Sequence, residues 1–558
     1  MTEFRAPVIS NTVLPNSVIS NPVLPNSVSL ITEARVGEAG STKKKLADAH
    51  ADVTIIGAGF AGLTAGALLA KDGLKVQVLE RDIHPGGCAA SFSRQTPHGT
   101  FRFAVGATVA AGLEPGGILH GIYGKLGLHA PGQSLERIMR VHLNAQPVEV
   151  AKNRQAWKLE LERAFPGQQA AKQHFWRDIQ SLADTMHHVA KRFPVMPFKS
   201  INDLMDTAPG AHPGLLKVLM SLGKTVGQLL EQHGIQDPAH KAFIDGQLLD
   251  SMQVISSGCA LPNGAYALEV YRFGAQYVPG GLSSIAEDFA KSITDNGGTI
   301  HYATRAREII TEKNRAVGVQ SHARAFKSNV VISTAPVPDT LALLGTAKPS
   351  KLEQDFQSKA EIWGAFTLYF GIHEHALPKD FGCFEQITDF NDHGILENFL
   401  VSTSPAWDES RAPKGFRAVT ISTHVRASDW FGLDEAEYKT KKAAFASRIL
   451  HRLEELFPGL NAGIVHLETG TPRTFRGFTL HGMGRVGGIP QTISSANFHA
   501  IHHDSGVPGL YLAGETIFPG QGTLGVSVSG FNAYRSSKRY LYRTKAAQKR
   551  QTLESALE

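Results

Sequence analysis

DVTIIGAGFAGLTAGALLAKDGLKVQVLE, residues 52–80, decides the fold. It reads as a short β-rich run, a glycine turn, a long alanine and leucine run, a stop at Gly73 and a second β-rich run. That is one complete strand, helix and strand unit. The uncharged part, residues 53–70, reaches the 18 residues at which a membrane span is considered. Its four glycines break the run after the β-rich segment, so a strand followed by a buried helix accounts for it better than a span. Gly57, Gly59 and Gly62 carry the G-x-G-x-x-G spacing of a dinucleotide site. One glycine makes the tight turn, one lets backbone approach a pyrophosphate, and one permits close packing of a helix whose N-terminus faces the phosphates. Glu80 closes the second strand, about 20 residues on, where a carboxylate takes ribose hydroxyls.

The same spacing occurs twice more. Gly482, Gly484 and Gly487 lie in LHGMGRVGGIPQ, with no strong strand before and no long helical pattern after, and read as a tightly turned or mobile loop. Gly520, Gly522 and Gly525 lie in LYLAGETIFPGQGTLGVSVSG, residues 510–530, which is strand, turn and helix. Too few residues follow to return a strand, so this motif cannot complete a second dinucleotide unit. A closing strand and helix that fold back on the first unit would instead hold the far end of the same ligand.

Composition bounds the rest. A chain of 558 residues, 42% hydrophobic and 19% charged, exceeds what one core supports, so two domains and a tail are expected. Three cysteines, Cys88, Cys259 and Cys383, fit neither a disulfide framework nor a zinc site and point to a reduced, intracellular compartment. The net charge of +6 is spread among 56 basic and 50 acidic residues without a block, which argues against nucleic acid. Histidine pairs at 187–188, 373–375 and 502–503 lack the spacing of a metal site, so no metal is expected.

Residues 1–50 contain the tandem repeat VISNTVLPNS, VISNPVLPNS and read as a disordered tail; Glu3, Glu33 and Glu38 argue against a transit peptide. Residues 131–276 lose the strand signal and read as helical, with an amphipathic stretch at 213–232 bordered by Lys217 and Lys224. The expected organisation is a discontinuous, Rossmann-like α/β domain from 51–130, 277–335 and 465–545. Into it is inserted a mixed-sheet and helical α+β domain from 131–276 and 336–464, and residues 546–558 form a C-terminal tail.

The opening unit, continued through RDIHPGGCAASF, resembles the start of the FAD-dependent amine oxidase and phytoene desaturase superfamily, and residues 510–530 resemble its C-terminal flavin signature. The resemblance implies that Gly57, Gly59, Gly62, Arg81, Gly86 and Gly87 receive the ADP half of FAD and Glu80 the adenosine ribose. It likewise implies that Gly514, Glu515, Gly522, Gly525 and Val526 receive the ribityl chain and flavin ring. FAVGATVAAGLEPGG (103–117), DGQLLDSMQV (245–254), YVPGGLSSIAEDFA (277–290) and TPRTFRGFT with GRVGGIPQT (471–492) resemble carotenoid desaturases, nearest to the C-3',4' type. Glu515 departs from the usual aspartate, and Ala104 from the usual F-D-x-G.

What the resemblance implies is a desaturase that oxidises a C–C single bond of an acyclic, optionally hydroxylated carotenoid by hydride transfer to flavin, with a quinone or dioxygen as final acceptor. Two alternatives stand beside it: a carotenoid cis-trans isomerase using reduced FAD, to which FPGQG (518–522) is close, and an inactive carotenoid-binding flavoprotein, suggested by Ala104. Glu114, a lone carboxylate in an apolar segment, is the candidate proton carrier, against the alternatives of a helix cap or a pair with Arg473. Cys88 reads as a packing residue. A substrate dissolved in lipid implies peripheral docking on a membrane surface, with 213–232 as the candidate helix.

Overall fold

The structure is a computed structural model that describes residues 50–135, 137–144, 146–359 and 363–555. The repeat-bearing tail, apart from its last residue, lies outside the described residues. The chain is a mixed α/β and α+β fold built on two large sheets.

The first sheet grows from the opening unit. Strand Ala51–Ile56 lies parallel to Val76–Leu79 on one side and to Ala325–Ser333 on the other, with Ile55 opposite Val78 and Ile332. Thr299–His301 extends the parallel set beyond Val76–Leu79. On the far side Ala325–Ser333 uses its two halves differently. Its first half pairs antiparallel with Arg315–Ser321, and its second half pairs parallel with the late strand Leu510–Leu512.

Helix Phe60–Lys71 is buried from Phe60 to Ala70. An amphipathic helix would expose one face; this one is apolar all round because it is enclosed all round. Gly66 lets Ile293 of helix Ser283–Asp295 approach, and Gly530 of the closing helix Gly522–Ser555 lies against the backbone of Ala61. The closing helix continues past residue 545, where a tail was expected.

The second sheet runs in the order Ile464–Gly470, Trp363–His373, Phe416–Arg426, Gly394–Thr403, Phe384–Asn391, Arg137–Leu143 and Gln146–Ala151. The last two strands lie inside a segment expected to be helical. Met139 and Val141 are buried in a core shared with helices, and Ile138 is equally buried on the opposite side, so the alternation that marks a strand is absent. Strand Ile464–Gly470 belongs to this sheet, although its residues read as part of the first domain. Helix Pro238–Met252 packs on one face and helix Glu435–Leu456 supplies Ile449, Leu450 and Leu453 to the other. The expected amphipathic helix 213–232 is two helices, Leu215–Ser221 and Val226–Gln232, the second restarted by a capping box on Thr225 and Gln228.

The Gly530 and Ala61 contact gives a first test. A Cβ at Gly530 would overlap the Ala61 carbonyl, so Gly530→Ala should lower stability by about 1–3 kcal/mol. Urea unfolding would show it as a fall in midpoint at constant slope.

Candidate functional site

Strand Ala51–Ile56 delivers Gly57 with φ +95°, a conformation only glycine holds without strain. A Cβ at Gly62 would collide with the Gly57 carbonyl, whereas a Cβ at Gly59 would meet nothing within 4 Å. The first and third glycines close the turn and the second faces open space. Gly59 caps helix Phe60–Lys71 without a side-chain hydrogen bond, so the N–H groups of its first turn stay free for an anion.

Glu80 ends Val76–Leu79 and is fastened to the loop it serves. Its Oε2 accepts from Ala58 N at 2.6 Å and its Oε1 from Asp82 N at 2.7 Å, leaving lone pairs on both oxygens. Burial raises its pKa, against the two backbone bonds. Half-buried Arg81 follows. Gly86 N donates to Ala58 O at 2.8 Å and Gly87 lies against Gly59, so the glycine pair folds over the turn.

The late motif repeats this geometry at the other end of the chain. A Cβ at Gly525 would stand 2.5 Å from the Gly520 carbonyl, as Gly62 stands on Gly57, and a Cβ at Gly522 would meet nothing within 4 Å. Two helix N-termini are therefore built alike, each with an open middle glycine. They converge on Thr334, the residue after Ala325–Ser333. A Cβ at Gly57 or Gly62 would press on the Thr334 side chain, and one at Gly514 would stand 3.2 Å from its carbonyl. Thr334 Oγ1 donates to Ile56 O at 2.8 Å, locking the junction. Gly514 N donates to Ser529 Oγ at 3.0 Å, and half-buried Val526 packs on the core around the opening helix.

Sequence reasoning named Glu515 but missed the polar groups beside it, Asp339, His481 and Arg485. Glu515 is 22% exposed, and its carboxyl is pushed up to about 7 by burial and, next, by Asp339. Asp339 is itself raised by burial and is partly relieved by Arg485. His481 Nδ1 stands 3.8 Å from Glu515 Oε1, and its pKa is pulled down to about 4 by burial. Burial, then Glu515, pushes the Cys88 thiol up to about 12, which keeps it unreactive and supports the packing role. The loop read as merely turned or mobile, LHGMGRVGGIPQ, is in fact fixed here. Gly488 N donates to Gln521 Oε1 at 2.8 Å, and Gly488 presses on the Glu515 carbonyl. Its only sequence signal was its glycines.

The junction fits a dinucleotide that also carries a polar chain and a ring. It offers two open glycines, an uncapped first turn at Gly59, a fixed carboxylate, and the partnerless buried atoms His481 Nδ1 and Arg485 Nε.

Glu114 lies elsewhere in the same neighbourhood. Leu524, in the first turn of the closing helix, packs on Gly112, and both line a small cavity with Glu114, Tyr266, His187 and Phe273. Gly274 and Gly117 leave room for the carboxyl, since Cβ atoms there would stand 2.6 Å from Glu114 Cδ and 2.9 Å from Oε1. Oε2 is buried without a partner, and burial raises the pKa against Lys152 and Lys191. Arg473 donates to the Trp430 and Leu433 carbonyls, away from Glu114.

Among the described residues, one group has metal-like spacing: Asp203, His502 and His503, with ligand atoms within 4.8 Å of one another. His502 Nδ1 accepts from Asp504 N at 2.9 Å. Neutral His502 therefore carries its proton on Nε2, facing Asp203 at 3.5 Å, and offers that atom as a donor instead of a ligand.

Glu515 sets a pH dependence. Its folded pKa lies above the unfolded value, so its contribution is fully present below about 4.5 and is lost as pH rises through about 7. Flavin-free protein should melt at falling temperature across that window, and Glu515→Gln should flatten the slope.

The NAD(P)-binding Rossmann-like domain family matches residues 55–126. Prolycopene isomerase, chloroplastic, of Arabidopsis thaliana is 28% identical over 541 residues, covering 94% of this chain and 89% of that protein. Phytoene desaturase (neurosporene-forming) of Cereibacter sphaeroides is 25% identical over 522 residues, covering 85% and 92%. The solved cyclohexylamine oxidase of Brevibacterium oxydans superposes with a TM-score of 0.56 at 14% identity, over 89% of this chain and all of that one, a likeness of fold alone. With its opening and closing motifs joined at one junction, the chain is homologous to FAD-dependent carotenoid isomerases and desaturases and shares its fold with the amine oxidases.

Proposed function

We propose that the protein is a carotenoid cis-trans isomerase working with reduced FAD. The observation that carries this reading is Glu114: a carboxyl whose Oε2 has no partner, raised by burial against backbone hydrogen bonds, in a small, tightly packed cavity lined by Leu524 of the flavin motif, Tyr266 and Phe273. The breadth of the likeness to prolycopene isomerase, 94% of this chain, supports it. Reduced FAD supplies electron density beside the polyene with no net oxidation. Isomerisation needs one double bond to become single for a moment. Glu114 gives its proton to one polyene carbon, forming a C–H bond and leaving a positive charge spread along the chain. Rotation follows about the bond that has lost its double character, and the same carboxylate takes the proton back, so atoms and charge balance. A carboxyl in water would be ionised at neutral pH; burial raises the pKa of this one and so favours its protonated form.

Desaturation is the second reading, favoured by the likeness to phytoene desaturases. It would remove two hydrogens from one C–C bond, with a quinone or dioxygen as final acceptor. Incubation of the flavoprotein in liposomes with an acyclic poly-cis carotenoid under reducing conditions separates the readings. Altered geometry at unchanged mass supports isomerisation, and loss of two hydrogens with a quinone present replaces it by desaturation. Carotenoid unchanged under every redox condition leaves an inactive carotenoid-binding flavoprotein.

The reading places the protein inside the cell on a membrane surface. No helix among the described residues is long and apolar enough to cross a membrane. Helices Ile201–Thr207 and Leu215–Ser221 instead expose Ile201, Leu204, Met205, Leu216, Leu219 and Met220. Arg543 on the basic end of the closing helix reaches Asn202 at 3.5 Å, setting positive charge beside that apolar face. An anionic bilayer complements both.

Two outcomes follow. Glu114→Gln should lower the isomerisation rate roughly a hundredfold or more while FAD stays bound, and the wild-type rate should fall as pH rises through the Glu114 pKa, a dependence the variant lacks. Met220→Asp should reduce flotation with anionic liposomes and leave the melting temperature unchanged.

A further inference from the structure

The loop His481–Gly488 has no part in the reading above, yet it is pinned from every side. Gly484 lies against the Pro472 carbonyl, Val486 N donates to Trp363 O at 3.3 Å, Gly487 abuts Gln253 and Gln521, and Gly488 abuts Glu515. Such fixation leaves one atom on each of two polar side chains without a partner. His481 Nδ1 and Arg485 Nε are buried without hydrogen-bond partners. Buried donors left this way are costly, and a guanidinium more so than most.

Their neighbours say where they are. His481 lies 3.8 Å from Glu515 and feels the charges of Arg81 and Arg485. Arg81 follows the carboxylate at the ribose end of the junction, and Glu515 stands at the end occupied by the late motif. Residues between those two ends face the middle of a dinucleotide, which is its diphosphate. Arg485 is stacked over Phe356, 5.0 Å from the ring centroid, with Asp339 and Glu515 as its charged neighbours. Stacking fixes the plane of the guanidinium and leaves its N–H edge available for a bidentate bond to phosphate oxygens.

We propose that His481–Gly488 is a third clamp on the cofactor, in which Arg485 binds the diphosphate of FAD and His481 closes over it. The three glycine motifs then serve one molecule, two through helix N-termini and one through a loop that carries the cation. The proposal rests on FAD as the ligand and is independent of whether the reaction is isomerisation or desaturation.

Wild-type protein provides the first test, without any variant. Phenylglyoxal should label Arg485 after FAD is stripped and should spare it in the holoprotein, as read by peptide mass. Equal labelling in both states overturns the proposal. The second test compares ligands that have or lack phosphate. Arg485→Gln should weaken FAD and ADP binding roughly tenfold to a hundredfold and leave riboflavin binding unchanged, and Arg485→Lys should recover part of the loss. Unchanged FAD affinity in Arg485→Gln, at unchanged melting temperature, overturns it, as does an equal loss for riboflavin. Wild-type protein that binds neither FAD nor ADP would remove the cofactor reading itself, and the clamp with it.

Discussion

The contact on which the molecule depends is that between the opening helix and the closing one. Helix Phe60–Lys71 has no polar face, so it must be enclosed completely. Helix Ser283–Asp295 covers one side, and the far end of the chain, with Gly530 against Ala61, covers another, with helix Ile118–Leu126 in the same core. Enclosing one apolar helix therefore brings residues near 57 and residues near 520 to the same place. A site shared by both ends of a long chain is the consequence of that hydrophobic requirement, and it comes with the register already set, because Leu510–Leu512 pairs with the second half of Ala325–Ser333.

Thr334 shows how tightly the junction is specified. It terminates a strand that pairs with the first strand and with the last, and its side chain and carbonyl touch the glycines of both motifs. Glycine is required at these points because another backbone occupies the volume a Cβ would need. Elsewhere the lack of a side chain has the opposite purpose: at Gly59 and Gly522 it leaves an opening. The two uses of the same residue, one to close a turn and one to open a surface, form the cradle.

The opening and closing motifs are legible in the sequence because their meaning is local: strand, turn, helix start and carboxylate lie within one short stretch. The clamping loop is not legible, since its partners Gln253, Asp339 and Gln521 are distant in sequence and only the fold gathers them. Strand Arg137–Leu143 escapes notice because neighbouring residues such as Ile138 and Met139 are buried alike, which erases the period of two, and Gln146–Ala151 because its alternation, Val148 and Val150 buried with Glu149 and Ala151 half-buried, is too short to stand out. The break near Gly223 is hidden for a related reason: apolar residues on either side keep a helical spacing that the capping box at Thr225 interrupts. Glu114 is visible as a lone carboxylate among apolar residues, but its cavity depends on Gly274, Tyr266 and Leu524, which no spacing connects to it.

Charge accounts for a feature of the junction that would otherwise be a liability. Glu515 and Asp339 stand together at the late-motif end of the junction, and two ionised carboxylates there would repel the phosphate charges of a dinucleotide. Burial raises both carboxyls, Glu515 to about 7, and the neighbouring Asp339 raises Glu515 further. Phosphate arriving nearby pushes them further in the same direction. A carboxyl in its protonated form would donate a hydrogen bond to an anionic ligand, while in the proposed clamp Arg485 and the helix N-terminus at Gly59 supply positive charge. The same burial that makes Glu515 costly to ionise thus makes it compatible with the ligand. Glutamate in place of aspartate keeps that behaviour and reaches one methylene further toward His481.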